Sequence, residues 1–383
     1  MADTNRRKFL KLAAGIGAVG TTGFAGCLGG GPTDEGSDET TTEETTTASE
    51  TTAEETTTAE SDSVDVGMVY ATGGLGDGSF NDQAQQGIKQ AVEDFGISYD
   101  KAQPSEVSQF KNYQQQFAKS TNPDYDLVST IGYLQADALT QTAEQYPDQQ
   151  FMIVDSVVDK PNVGSYVFQE HEGSFLVGQL AGLLTGQEFS AGSGSTKPDE
   201  LNVGFVGGVE GALIGKFEAG FIAGVKHANS DVTVQSTYVG SFNDPTGGKE
   251  AALAMYNNGA DIVYHASGNT GTGVFQAAQE KGRFAIGVDR DQSVTKESYA
   301  DVILASMVKR VDTAVYNAIE AVVNDNFEGG ALTTLGLQKD GVAIAYGQSL
   351  GGDVPSDVKD AVTSSRQSII DGDISVPTDP KNA

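Results

Sequence analysis

Two short apolar runs in this chain end in an aspartate: 151-FMIVD-155 and 284-FAIGVD-289. A lysine, Lys309, lies in a third stretch, 305-ASMVKRVD-312. Two carboxylates brought together can act as the acid and nucleophile of glycoside hydrolysis. They can equally accept hydrogen bonds from ligand hydroxyls, with Lys309 donating to a hydroxyl or balancing the acids. Capping of the next helix is the plain structural alternative for either Asp, and a surface position the plain alternative for the lysine. A second recurrence involves an aromatic ring. The pentapeptide GSFND occurs at 78–82 and again at 240–244. Core packing is the usual fate of phenylalanine. Here Phe80 and Phe242 are each flanked by Ser and Asn-Asp, a setting that suits a polar turn and a helix cap. A ring offered from such a turn could stack on a flat ligand, an interaction contributing about 1–3 kcal/mol per base.

Other chemistries find less support. The stretches 73-GGLGDGSF-80 and 268-GNTGTG-273 are glycine-rich, but neither has the dinucleotide G-x-G-x-x-G spacing or the Gly-Lys-Ser/Thr ending of a phosphate loop. The histidines, His171, His227 and His265, are far apart in sequence and form no metal-ligand spacing. No Ser-His-Asp order and no G-x-S-x-G elbow is present. No metal or cofactor is implied, and no catalysis is required.

The elements that must position these residues alternate. Strand-like runs at 64–70, 126–130, 151–155 and 162–168 interleave with helical patterns at 81–95, 105–119, 134–145 and 172–186. A second series follows, with strands at 201–208, 232–239, 261–266 and 284–289 and helices at 211–228, 246–257 and 272–281. Such alternation predicts parallel βαβ units, and short continuous apolar runs suit strands buried on both faces. Two series predict two doubly wound lobes. Ligands bind such sheets beyond the carboxyl ends of the strands. Phe80, Asp155, Phe242, Gly268 and Asp289 all fall there, so a cleft between lobes is expected.

Composition bounds the partners. The 383 residues carry a formal charge of -30. The first 27 residues contribute +3, and residues 28–62 hold 11 acids with no Lys or Arg, which leaves -22 for the remainder. So acidic a body opposes binding to nucleic acid through its phosphates. It also matches proteins kept soluble in concentrated salt, where self-repulsion is screened, and a halophilic source is expected. Residues 1–27 run from 5-NRRKFLK-11 through a short apolar stretch to 24-FAGC-27, which reads as a twin-arginine export signal closing on a lipobox. Cys27, the single cysteine, would then carry two acyl chains, enough for stable anchoring. Residues 28–63, rich in Thr and Glu, cannot bury enough apolar surface to fold and read as a disordered tether. The folded body is expected outside the cell membrane.

Several stretches together resemble the basic membrane protein family of substrate-binding lipoproteins, close to the purine nucleoside receptors of ABC importers. They include GGLGDGSFN, YPDQQFMIVD, FQEHEGSFLVGQLAG, VGFVGGVEGALIGKFEAGFIAGV, GSFNDPTGGKEAA, GADIVYHASGNTGTGVFQAA, AIGVDRDQ, SMVKRVDTAV and IIDGDISVP, over about Val66 to Pro377. The resemblance implies a type I periplasmic-binding fold with two lobes and three crossing strands as a hinge. By analogy the chain passes between lobes near 168–171, 288–292 and 324–330. Lobe 1 would then hold 64–169 and 290–325, and lobe 2 would hold 170–289 and 326–383. It also implies ligand roles for individual residues: Phe80 and Phe242 stacking on the base, Asn81 bonding nearby, Asp155, Asp289 and Lys309 at the ribose, and Gly268 giving a backbone contact. One departure stands out. Where the family often has Asp after the first strand, this chain has Ala71, so the base edge loses a polar reader.

The expected protein is thus a monomeric, lipid-anchored receptor that captures a nucleoside and passes it to an ABC permease and its ATPase. The rival readings are a sensory receptor of the same fold, a binder of another solute such as a sugar, and an extracellular nucleosidase using Asp155 and Asp289.

Overall fold

The computed structural model describes residues 63–383. The export signal, Cys27 and the tether expected at 1–63 lie outside the described residues, apart from residue 63. In the first lobe, strands β1 (Asp65–Val69), β2 (Ser98–Ala102), β3 (Leu127–Ile131), β4 (Gln150–Val154) and β5 (Val163–Phe168) alternate with helices α1 (Phe80–Phe95), α2 (Phe110–Ala118) and α3 (Ala136–Gln145). Helix α4 (Glu170–Thr185) leads into a small hairpin, β6 (Ser190–Ala191) and β7 (Gly194–Ser195). The second series comprises β8 (Asn202–Gly207), α5 (Ala212–Ala228), β9 (Thr233–Tyr238), α6 (Pro245–Asn257), β10 (Ile262–Ala266), α7 (Gly271–Lys281) and β11 (Phe284–Asp289). The chain ends with α8 (Gln292–Thr295), β12 (Ile303–Lys309), α9 (Val311–Val323), β13 (Leu332–Leu335), β14 (Val342–Tyr346) and α10 (Ser356–Ile370).

The strands form two six-stranded sheets, ordered β13-β5-β4-β3-β1-β2 and β14-β12-β11-β10-β8-β9. Every pair in the first sheet is parallel. The second is parallel except where β14 pairs antiparallel with β12. Burial explains the apolar runs: every residue of β3, β10 and β11 is buried, because helices cover both faces of each sheet. The edge strand β2, SYDKA, is mostly exposed or half-buried and carries no apolar run, so the sequence did not betray it. Helix α1 stops at Gly96, whose left-handed backbone returns its N–H to the carbonyl of Val92. Helices α4 and α5 touch backbone to backbone. A Cβ on Gly178 would stand 2.2 Å from the Phe221 carbonyl oxygen, and one on Gly224 2.0 Å from that of Phe175.

The sheet order corrects the expected lobe boundaries. Residues 303–309, placed by analogy in lobe 1, form β12 of the second sheet, and residues 332–335, placed in lobe 2, form β13 of the first. Between them, α9 leans on α1 of the first lobe: the rings of Tyr316 and Phe95 are 5.3 Å apart, and Tyr316 donates to Asp94. The chain therefore crosses between lobes after Phe168, after Lys309 and between Leu335 and Val342. The expected positions near 288–292 and 324–330 are too early. The cause is that β11 does not end the second sheet: β12 still pairs beside it. Lys309 is the last residue of that strand and thus sits on the second crossing.

Candidate functional site

A cavity opens between the lobes at the carboxyl ends of the strands, with about 660 Å³ of empty space when the part open to solvent is counted. The first lobe contributes Ala71, Thr72, Gly73, Asp77, Phe80 and Asn81 after β1, Gly132 and Tyr133 after β3, and Asp155 after β4. The second contributes Phe217 from α5, Phe242 after β9, Ser267 and Gly268 after β10, Asp289 ending β11 and Lys309 ending β12. All seven residues singled out as ligand contacts, Phe80, Asn81, Asp155, Phe242, Gly268, Asp289 and Lys309, line this one cavity. The rings are half-buried and lean on core side chains.

The loop before α1 is knotted by two aspartates. Asp77 accepts from the backbone N–H groups of Ser79, Asn81 and Asp82 and from the Asn81 amide. Asp82 accepts from Gly76 and Gly78. Asn81 in turn accepts from the Ala71 N–H at 2.9 Å. The buried Asn81 thus uses one amide N–H and one oxygen lone pair to fix the loop that carries Phe80, and so shapes the cavity wall. Burial pushes the Asp77 carboxyl above its ordinary pKa, against those hydrogen bonds. Phe80 rests beside Gly132, where a Cβ would come within 3.4 Å of the ring.

The second GSFND is built differently. Helix α6 begins only after it, at Pro245, with Asp244 as the capping residue accepting from the Gly247 N–H. Asn243, exposed at the surface, accepts from Asn269. Phe242 packs against Gly208, where a Cβ would stand 2.4 Å from the ring. Its carbonyl accepts from the Thr270 N–H.

Both strand-end aspartates have left-handed backbones, with φ 69° at Asp155 and 65° at Asp289. That region is costly for a residue with a Cβ, by about 1–2 kcal/mol, and such strain collects at functional sites. Lys309, buried among these acids, reaches Asp155 at 2.6 Å and Glu170 at 3.1 Å. Its ammonium also stands 5.0–5.4 Å from the ring centres of Phe80, Phe168 and Phe217. Burial pulls the Lys309 pKa down, but the carboxylates of Asp155, Glu170 and Asp289 outweigh it and hold the group firmly protonated. Burial raises the Asp155 carboxyl, with Lys309 opposing. Asp289 is pushed up to about 7, first by burial, with Lys309 and the Ser79 hydroxyl pulling the other way. Ser79 donates to Asp289 at 2.5 Å, so the first GSFND touches the opposite lobe directly.

Several lining residues escaped the sequence reading. Tyr133 has a buried hydroxyl with no hydrogen-bond partner. Phe217 sits one helical turn inside α5, and its only sequence signal is the small-residue run around it. Ser267 directly precedes Gly268 and stands in no recognisable spacing, and the same holds for Glu170, which opens α4 and does not line the cavity but pairs with Lys309. Among the described residues no group of three or more His, Cys, Asp or Glu could hold a metal ion, and no helix is long and apolar enough to cross a membrane.

The sequence matches known proteins over almost all of the described region. Residues 64–379 match the family described as Bmp, ABC transporter substrate-binding protein PnrA-like. A relative from Lactococcus lactis, named ABC transporter nucleoside-binding protein BmpA, is 32% identical over 330 residues, covering 81% of this chain and 88% of the relative. An uncharacterized lipoprotein from Pyrococcus horikoshii is 32% identical over 345 residues, covering 87% of this chain and 76% of its own length. A solved ABC transporter solute-binding protein from Aeropyrum pernix superposes with a TM-score of 0.72 at 28% identity, covering 82% of this chain and 93% of that one.

Proposed function

Because the chain belongs to the PnrA-like Bmp family of ABC transporter substrate-binding proteins, we propose that its cleft takes a nucleoside, a purine one in the first instance. The observation that carries this reading is the cavity wall itself. Each lobe offers a phenylalanine from a GSFND turn, and Asp155, Asp289 and Lys309 line the same space. Apolar rings suit a flat base, and buried carboxylates suit ribose hydroxyls. A neutral ligand fits the charges, since Lys309 is already matched by two acids. The nucleoside-binding relative supports the same class. Ala71 presents no polar group to the base edge, so selectivity among purines would rest on other groups.

In this reading the lobes close on the ligand by motion at the three crossings, and the protein delivers it unchanged to a permease and ATPase. The chain would stand on the outer face of the cell membrane, tethered by a lipid on Cys27 after twin-arginine export. Replacing Cys27 with Ser would then release the protein into the medium. The function is tested by calorimetric titration in molar salt against adenosine, guanosine, inosine, uridine and ribose, with the ligand recovered afterwards. Tight purine binding, little response to ribose and intact nucleoside are expected. Free base in the recovered ligand would instead favour the hydrolase reading, and binding of sugars alone would sink the nucleoside one.

A further inference from the structure

Behind the cavity wall runs a buried chain of polar groups. Ser267, almost fully buried and lining the cavity, stands 3.2 Å from Nδ1 of His265. The other ring nitrogen, Nε2, stands 2.9 Å from Oε1 of Gln292. The same Oε1 accepts the backbone N–H of Val288 at 2.8 Å, and the Gln292 amide nitrogen faces the Gly78 carbonyl across the lobes at 3.4 Å.

These partners fix every proton in the chain. The Val288 N–H can only donate, so the atom facing it is the Gln292 carbonyl oxygen. That oxygen can only accept, so His265 must carry its proton on Nε2. Burial drives the His265 pKa down to about 3, with the Gln292 bond opposing, so the ring is neutral and Nδ1 bears no proton. Nδ1 therefore accepts, and the Ser267 hydroxyl must donate to it. A serine hydroxyl has one proton and two lone pairs. Its proton is spent on the histidine.

We propose that Ser267 is a specificity-determining residue that presents only an acceptor to the cleft, held so by His265 and Gln292, and that it reads a hydrogen-bond donor of the bound ligand. The proposal rests on the nucleoside reading for the identity of that donor, an exocyclic amino group, a ring N–H or a ribose hydroxyl. The site is built for it. A Cβ on Gly271 would stand 1.9 Å from the His265 ring, and one on Gly287 2.7 Å from the Gln292 oxygen, so two glycines clear the space the relay occupies. The relay also gives the cleft a reader in the lobe opposite Ala71.

Two measurements test this on the full chain. Nitrogen-15 NMR of the histidines, with signals assigned by removing His171 and His227 in turn, should show His265 protonated on Nε2 and unchanged from pH 5 to 8; a proton on Nδ1 overturns the assignment whatever the ligand. Titration should then compare each purine nucleoside with analogues lacking one donor: N6,N6-dimethyladenosine, 1-methylinosine and the 2′-, 3′- and 5′-deoxynucleosides. One deletion should cost the native protein roughly tenfold in affinity, and Ser267→Ala should abolish the penalty for that analogue only. Ser267→Thr, which keeps the hydroxyl, should restore it. Equal penalties in native protein and Ser267→Ala overturn the proposal. If the tautomer is as expected but no nucleoside binds, it is the nucleoside reading that fails.

Discussion

The two GSFND segments share five residues and almost nothing of their structure. In the first, the helix begins at Phe80, and Asn81 is buried, holding the Ala71 N–H and the Asp77 carboxylate. In the second, the helix begins three residues later, at Pro245, and Asp244 performs the capping that Asp77 performs for the first. Only the ring ends in a like place, at the cavity. The difference teaches that the repeated word fixes the position of a phenylalanine beyond a strand. What its polar neighbours do is decided by the chain before it: the five residues Gly73–Asp77 give the first copy a second aspartate, Asp77, that ties the loop, while Ser79 reaches Asp289.

The comparison can be broken most forcefully at the asparagines. Asn81→Ala should cost about 2–3 kcal/mol of stability by orphaning buried groups, whereas Asn243→Ala, at the surface, should change it by less than about 0.5 kcal/mol; denaturant unfolding in high salt reads both. Equal effects would erase the distinction. The rings should behave alike where the asparagines do not. Phe80→Ala and Phe242→Ala should each weaken binding by about 1–3 kcal/mol, the contribution of a stacked base, by calorimetry. A third, smaller effect is expected at Asp244→Ala: about 1 kcal/mol of stability from the lost cap, with ligand affinity preserved. The smallest contrast is one of pH. Asp289, bonded to the first copy through Ser79, has a pKa raised to about 7 in the folded chain. A carboxyl raised above its unfolded value stabilises fully below that value, and the contribution is lost as pH rises through about 7. Melting temperature should therefore fall less between pH 5 and 8 in Asp289→Asn than in the native protein.

Much of this was legible in the sequence, for identifiable reasons. Buried parallel strands such as FAIGVD show as apolar runs because both faces are covered, and Phe80, Phe242, Asp155 and Asp289 could be placed because strand ends are where loops carry ligands. The edge strand SYDKA was hidden because its exposed residues need no apolar pattern. The crossings were misplaced because sheet membership of β12 and β13 depends on pairing between distant segments, which no local period records. Asn81 was expected at the ligand; it lines the cavity, and the loop takes one N–H and one oxygen lone pair of its amide, a use no spacing announced. The Ser267–His265–Gln292 relay left no sequence trace at all: a serine, a histidine two residues earlier and a glutamine 27 residues from it become neighbours only when β10 lies beside β11.

The central claim, that one ring from each GSFND closes on a planar base, is tested most directly by a crystal structure of the protein with inosine in the cleft. The base should lie between Phe80 and Phe242, with the ribose hydroxyls toward Asp155, Asp289 and Lys309. A base bound away from either ring, or the two rings stacked on the protein with the ligand elsewhere, would contradict it.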